Sequence, residues 1–444
     1  MKPGNPLTLL DNGADPLTVS GSQTFTFSKP VPMGSDYYVT IGTQPPGQNC
    51  FIAYSDFIAN ANVTNIVVSC SDVPDWLYFF GTNYSGADAS VPTGPLLQAS
   101  DGNFYGLSNG GGTTNLGVHG GTVFKYVPSV GESLLWSFGS PGDGANPAGA
   151  LIQGSDGNLY GTTIAGGTYG YGTVFRLTLA GQETVLYSFP DPNSLLYFKS
   201  IVFGSDGNLY GTASGGNPDN GFIFQITAQG AFSVIHSFVG SDGSCPNFIM
   251  QASDGNFYGT TYSGGSHWNG VYCDSNTTSG GVLFRMTPSG NVTVMHSFGA
   301  SGDGSTPQFV TVGNDGNFYG TTAFGGANFG SWGTLFKVTP GGTETVLHSF
   351  GGAEGLDAPN PTLAQGSDGY FYGSARIGGQ LSAGVLYKFS PTGAETNLVI
   401  FGSAEVVGAN PNGIIFGRDG NIYGTTQAGH INNNYDGTIF RLSP

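Results

Sequence analysis

Hydrophobic and polar positions alternate along most of this chain in runs of five to seven residues, each closed by turn residues. Between residues 147 and 189 the pattern reads PAGALIQGS, DGNLYGTT, a glycine-rich stretch, GTVFRLT, a short LAG turn and ETVLYSF. A period of two places alternate side chains on one face of a strand, and Gly, Asn and Asp supply the positive φ angles of tight hairpins. The run therefore predicts four strands, A to D, of one small antiparallel sheet. Asp-Gly closes the A–B hairpin, while TPSG or a variant (Thr287 to Gly290, Thr339 to Gly342) closes C–D.

The unit recurs. SDGNFYG begins at Ser100, SDGNLYG at Ser155 and Ser205, SDGNFYG at Ser253, NDGNFYG at Asn314, SDGYFYG at Ser367 and RDGNIYG at Arg418. From Asp101 through Asp156, Asp206, Asp254, Asp315 and Asp368 to Asp419 the steps are 55, 50, 48, 61, 53 and 51 residues. A period near fifty with four strands per unit predicts an all-β, seven-bladed β-propeller over residues 74–444. After Asp419 the chain supplies only NIYGTT and GTIFRLS, so the last unit lacks strand D. DWLYFFG, from Asp75 to Gly81, matches LLWSFG and TVLYSF and is expected to complete it, which removes the open edge of the ring. Residues 1–73 carry the alternating runs PLTLLDNG, DPLTVSG, QTFTFSK, DYYVTIGTQ, NCFIAYS and NVTNIVVSC without the repeated phrase. They predict a small Ig-like β-sandwich, which the short Ser71 to Pro74 linker sets beside the seventh blade.

Composition sharpens this picture. With 77 Gly, 13% aromatic and 9% charged residues among 444, the chain has material for a core and for many turns, but not for many helices. The formal charge of −17 repels phosphate and anionic lipid surfaces, so nucleic acid is excluded as a partner. No apolar run reaches the ~18 residues of a membrane-spanning helix. Cys50, Cys70, Cys245 and Cys273 show no CxxC spacing and read as structural disulfides. Cys50 is expected to pair with Cys70 in the sandwich, and Cys245 with Cys273, pinning the long fourth B–C connection from Ser263. Disulfides, scarce Lys and Gly-Thr-Asn richness point to a secreted or cell-surface protein. The opening MKPGNPLTLL has no basic-then-apolar leader, so a signal or anchor is expected outside this sequence.

In a propeller the D–A and B–C connections share one face, and here they carry nearly all the variation in length and chemistry. Candidate ligand-binding residues on them are Tyr169, Tyr171, His267, Trp268, Tyr272, Phe329, Trp332, His430 and Tyr435. Exposed, such rings stack on sugar faces; packed, they brace glycine-rich loops. His119, His267 and His430 lie in B–C loops, with no Ser, Cys or carboxylate at a readable catalytic spacing. His236, His296 and His348 hold the strand D place of Trp136 and Tyr187 and read as structural. Lys125, Arg176, Arg285, Lys337, Lys388 and Arg441 share one strand C position, predicted to pair with the turn aspartates. Gln98, Gln153, Gln251 and Gln365, in strand A, are expected to line a water-filled axial channel. No cofactor is required. Calcium is a candidate at Asp143, Asp242 and Asp303, and at the N-x-N-x-D-G spacing of Asn432, Asn434, Asp436 and Gly437, although none has the terminal Glu of an EF-hand loop.

The repeated order SDGNxYG, Gly-Gly, GTVFxxT and xVLxSF over residues 75 to 444 resembles the GloVer (Gloeobacter/Verrucomicrobia-type) tandem repeat of exported bacterial proteins. The resemblance implies export and a propeller, and it implies no reaction. The DGNxY strand pair is also similar to NHL-type binding propellers and to streptogramin lyases. Those lyases need Glu and His where this chain reads YGL, YGT, YGT, YGT, YGT, YGS and YGT, which argues against that activity. The expected function is an exported or surface propeller that binds a ligand, carbohydrate above all, through its B–C and D–A loops. The rivals are a polysaccharide lyase or glycosidase with an axial pocket, and a structural or adhesive surface protein.

Overall fold

The computed structural model describes residues 5–21, 23–53, 56–58, 66–81, 88–112, 120–190, 197–214, 220–268, 280–327, 332–351, 356–379, 382–402, 408–429 and 436–444. Every regular element among them is a β-strand, and seven antiparallel sheets of four strands follow the order A-B-C-D. In the second sheet these are Gly144–Gln153, Leu159–Gly166, Thr173–Leu177 and Glu183–Ser188. In the last, Ala409–Phe416, Ile422–Ala428 and Thr438–Leu442 are completed by Asp75–Phe79, with Ile439 opposite Tyr78. Strand A of each sheet touches strand A of the next, and that of the last touches that of the first. The architecture is propeller-like.

The repeated phrase explains how each sheet is built and how it meets its neighbour. In the first A–B turn Asp101 accepts from the Asn103 backbone N–H at 3.1 Å, the Asn103 side chain at 2.7 Å and the Tyr105 hydroxyl at 2.8 Å. The same tyrosine bond closes all the other turns, at Asp156, Asp206, Asp254, Asp315, Asp368 and Asp419. Burial opposes ionisation of Asp101, but these hydrogen bonds outweigh it and hold the carboxyl below its ordinary range. The glycine after each tyrosine faces the aromatic ring of strand C: a Cβ built on Gly161 would lie 2.5 Å from Cζ of Phe175. Between sheets, tyrosine meets the aromatic that opens the next strand B, as in Tyr210–Phe257 at 4.3 Å and Tyr319–Phe371 at 4.2 Å. Tyr423 and Phe104, at 4.3 Å, join the last sheet to the first.

The glutamines of strand A are not left to water in a channel. Gln153 accepts from the Ser100 N–H at 2.7 Å and donates to the Gly157 carbonyl at 2.8 Å, tying one turn to the turn before it. Gln251 and Gln365 repeat this with Ser205 and Asn314, and Gln98 accepts from the N–H of Arg418. A half-buried carboxamide here satisfies two neighbouring backbones at once. The cations of strand C divide: Lys125 and Lys337 reach their turn aspartates at 3.4 and 3.0 Å, Lys388 lies 4.9 Å over the ring of Tyr370, and Arg441 takes Asp75 of the closing strand at 2.6 Å.

Ahead of these sheets, Pro6–Asp11, Asp15–Ser20, Asp36–Thr43 and Asp56–Ile58 form one four-stranded sheet, and Gln48–Ala53 pairs with Val67–Asp72. Leu7, Leu9, Val19, Tyr37, Val39 and Cys50 make one shared core. Cys50 and Cys70 stand opposite each other in register and form a disulfide. QTFTFSK forms no strand: Phe25 and Phe27 pack on the core, but residues 23–27 join no ladder. The linker leads into the last sheet, yet Val67–Asp72 touches the outer strand of the sixth, Glu395–Ile400.

Candidate functional site

The predicted ligand residues do not converge on one described pocket. Tyr169 is 56% exposed on the second B–C loop and Trp332 is 37% exposed on the fifth. Tyr171 pairs with Gly166 in a parallel bridge, as Trp332 does with Gly325, but its ring packs into the core between the second and third sheets. His267 is exposed, with Nδ1 3.3 Å from the Ser266 hydroxyl. Trp268 covers Gly240, where a Cβ would lie 2.4 Å from its ring. It braces the loop. Tyr272, Phe329, His430, Tyr435, Cys273, His119, Asn432 and Asn434 lie outside the described residues. Cys245 is disulfide-bonded, and its expected partner is among these.

Sequence reasoning missed the chemistry of the seams between sheets. A C–D turn reaches the outer strand of the preceding sheet so closely that a Cβ on Gly342 would lie 2.4 Å from the Met295 carbonyl. This carries the first residue of strand D against the D–A loop of the sheet before. One frame then recurs: a ring late in strand D, an aspartate of the D–A loop, and the first strand D residue of the next sheet. Trp136 Nε1 donates to Asp143 at 3.2 Å beside Glu183, and the Tyr78 hydroxyl donates to Asp88 at 3.2 Å beside Glu132. His236 meets Asp242 at 2.9 Å, with Val292 in the third place. His348 lies 3.3 Å from Glu395. Where Phe232 takes the place of the glutamate it stacks on Tyr187 at 4.2 Å.

The remaining seam joins His296, Asp303 and Glu344, with 3.2 Å between His296 Nε2 and Asp303 Oδ2. Burial, reinforced by the charge of Asp143, pushes Glu183 up to about 7. Burial and Asp303 do the same to Glu344, against the opposing influence of His296. Burial and Asp88 also push Glu132 upward. Each of the loop aspartates Asp143, Asp242 and Asp303 meets a ring of strand D: Asp143 accepts from Trp136, and Asp242 and Asp303 pair with His236 and His296. The legible signal was a Glu at or next to the start of strand D and an Asp six or seven residues past the ring, ten in the case of Tyr78. That the two meet across a seam was not.

The model of the family described as the Gloeobacter/Verrucomicrobia repeat matches residues 71–273 and 270–444. The chain belongs to this family. The matched residues take in all seven of the repeat sheets. No curated protein matches the chain. Among solved structures, the extracellular domain of a one-component system from B. thetaiotaomicron is similar at a TM-score of 0.54 and 14% identity, over 83% of this chain and 39% of that one. This chain thus spans about two fifths of that structure's length. A gluconolactonase from Xanthomonas campestris matches at 0.41 and 14% identity, over 80% of this chain and 99% of that one. Hydrazine synthase of Kuenenia stuttgartiensis matches at 0.45 and 15%, over 65% and 75%. At such identities likeness speaks of fold alone, and only the first rises above the level at which it carries weight. Among the described residues no helix is long and apolar enough to cross a membrane.

Proposed function

We propose that the family member is an exported, surface-associated protein whose seven sheets are the blades of one propeller at 74–444 behind a β-sandwich at 1–73, and that it binds polysaccharide on its B–C and D–A face. One observation carries this reading. Among the described residues of the repeat region, the two exposed large aromatic side chains are Tyr169 and Trp332, both on B–C loops. Dozens of other rings go into cores and seams, so leaving two on the same set of loops costs apolar burial with no return in stability. A flat exposed ring is suited to the apolar face of a pyranose. The Cys50–Cys70 disulfide fits an oxidising compartment.

Native affinity electrophoresis through gels cast with bacterial, plant and algal polysaccharides tests it. Retardation by at least one polymer is expected, weakened in Tyr169→Ala and Trp332→Ala and without loss of polymer stain. Clearing of the gel would make the protein an enzyme instead. Free migration across the whole panel would remove glycan binding from consideration.

A further inference from the structure

Among the described residues one set of three metal-ligating side chains converges, His296, Asp303 and Glu344, and their donor atoms all lie within 4.8 Å of one another. Three elements bring them together: strand D of the fourth sheet (Val292–Ser297), the D–A loop after it, and strand D of the fifth (Glu344–Ser349). Asp303 is fixed by its surroundings. Its Oδ1 accepts from the Gly304 N–H at 2.6 Å and its Oδ2 from the Gly299 N–H at 3.2 Å, and its side chain is only 7% exposed. His296 is held edge-to-face on Phe298 with centroids 4.6 Å apart, which turns Nε2 towards Asp303. Glu344 Oε1 is buried and has no hydrogen-bond partner.

The other seams show what this combination is not. Where Trp136 fills the first position, its indole N–H satisfies the aspartate and offers no ligand atom, and where Tyr78 does, its hydroxyl is hydrogen-bonded to Asp88 and Glu132. Where Val292 fills the third, His236 and Asp242 form a pair with nothing left over. Only between the fourth and fifth sheets do an imidazole nitrogen and two carboxylates meet, among the described residues. A pair of carboxylates with one histidine leaves net negative charge in a half-buried space, which favours a cation.

We propose that His296, Asp303 and Glu344 form a binding site for a zinc-like divalent transition ion that clasps the fourth and fifth sheets together. One nitrogen and two carboxylate oxygens are ligands that suit zinc, and imidazole selects against calcium and magnesium, which prefer all-oxygen shells. Around tetrahedral zinc, ligand atoms lie about 3.4 Å apart, so closure from 4.8 Å asks only for rotation of side chains. Water fills the fourth position. The backbone N–H groups of Gly299 and Gly304 hold Asp303 in place from behind, as outer partners orient ligands in metal sites.

The test uses the full chain freed of metal with a chelator and then titrated with zinc chloride in a calorimeter, with calcium chloride in parallel. One zinc per chain is expected at a site that calcium does not fill. His296→Gln and Glu344→Gln should each weaken it at least about ten-fold, while His236→Gln, at the seam with two groups only, leaves it unchanged. Glu344→Gln keeps the side chain's shape and removes a buried charge, so its metal-free melting temperature should equal or exceed that of the parent and a loss of binding cannot come from misfolding. Cobalt(II) in place of zinc should give visible d–d absorption that both site variants lose. Zinc affinity untouched by both site variants, or no zinc binding at all, would overturn the site. Neither result bears on glycan retardation, which reads the loop face.

Discussion

Replacing Glu183 by Gln puts the electrostatics of the seams to the test at a place where no metal is proposed. Glu183 Oε1 is buried with no hydrogen-bond partner, and burial together with Asp143 lifts its carboxyl from 4.5 to about 7. A value raised in the folded state means that the native chain holds this proton more tightly than the unfolded chain does. The stabilisation is therefore complete below about 4.5 and is lost as the pH climbs to about 7. The whole interval corresponds to about 3–4 kcal/mol at about 1.4 kcal/mol per pH unit; solvent reaching this half-buried seam should leave about 1 kcal/mol. Gln has the same shape and no charge to bury. In denaturation at pH 8 with chelator present, Glu183→Gln should be more stable than the parent by about that amount, a rise of about 1 °C in midpoint for a chain of this size. At pH 4.5 the two proteins should coincide. An equal difference at both pH values, or a less stable variant at pH 8, would refute the argument that an unpaired charge sits there.

Three further outcomes follow from the repeated turns. Gly161→Ala places a Cβ 2.5 Å from Phe175 Cζ, and the overpacking should cost about 1–3 kcal/mol in chemical denaturation. Gln153→Ala removes the bonds to the Ser100 N–H and the Gly157 carbonyl and should cost about 1–2 kcal/mol, with hydrogen exchange accelerating at both the 100 and 155 turns. Asp101, Asp156, Asp206, Asp254, Asp315 and Asp419 are held below their ordinary value of 3.8, so their contribution is present at neutral pH and disappears as the pH falls through the folded values. Circular dichroism should accordingly show an acid transition below about pH 3.8, which salt alone does not produce at pH 7.

What could be read in advance followed from periodicity. The alternation of ETVLYS and the spacing of the DGN phrases located four strands per unit, and the strand-less end of the last unit pointed to Asp75–Phe79. Within one hairpin, sequence distance equals spatial distance, which is why the role of Asp-Gly as a turn was legible. The seams were not legible, because Asp143 and Glu183 are brought together by the angle between two sheets and not by their spacing along the chain. Gln153 was placed in the right strand and given the wrong partner for the same reason: its register was clear, but the neighbouring turn at Ser100 was not. QTFTFSK alternates as a strand should, yet alternation reports a buried face and not a hydrogen-bonded neighbour.

The pairing of Asp75–Phe79 with Thr438–Leu442 also sets the order in which this chain can acquire its structure. Arg441 and Asp75 are 366 residues apart, and drawing the ends of so long a loop together from an unstructured chain costs about 5 kcal/mol in entropy. Six of the seven repeat sheets use only local segments and can assemble as they leave the ribosome. Residues 75–79 must instead wait, with an unpaired apolar edge, until the final strand has been synthesised. During that interval the nascent protein carries one half of its own last sheet as an open template. A second chain at the same stage presents the complementary strand, so crowded synthesis favours exchange of Asp75–Phe79 between molecules, and slow, dilute synthesis favours the closed monomer.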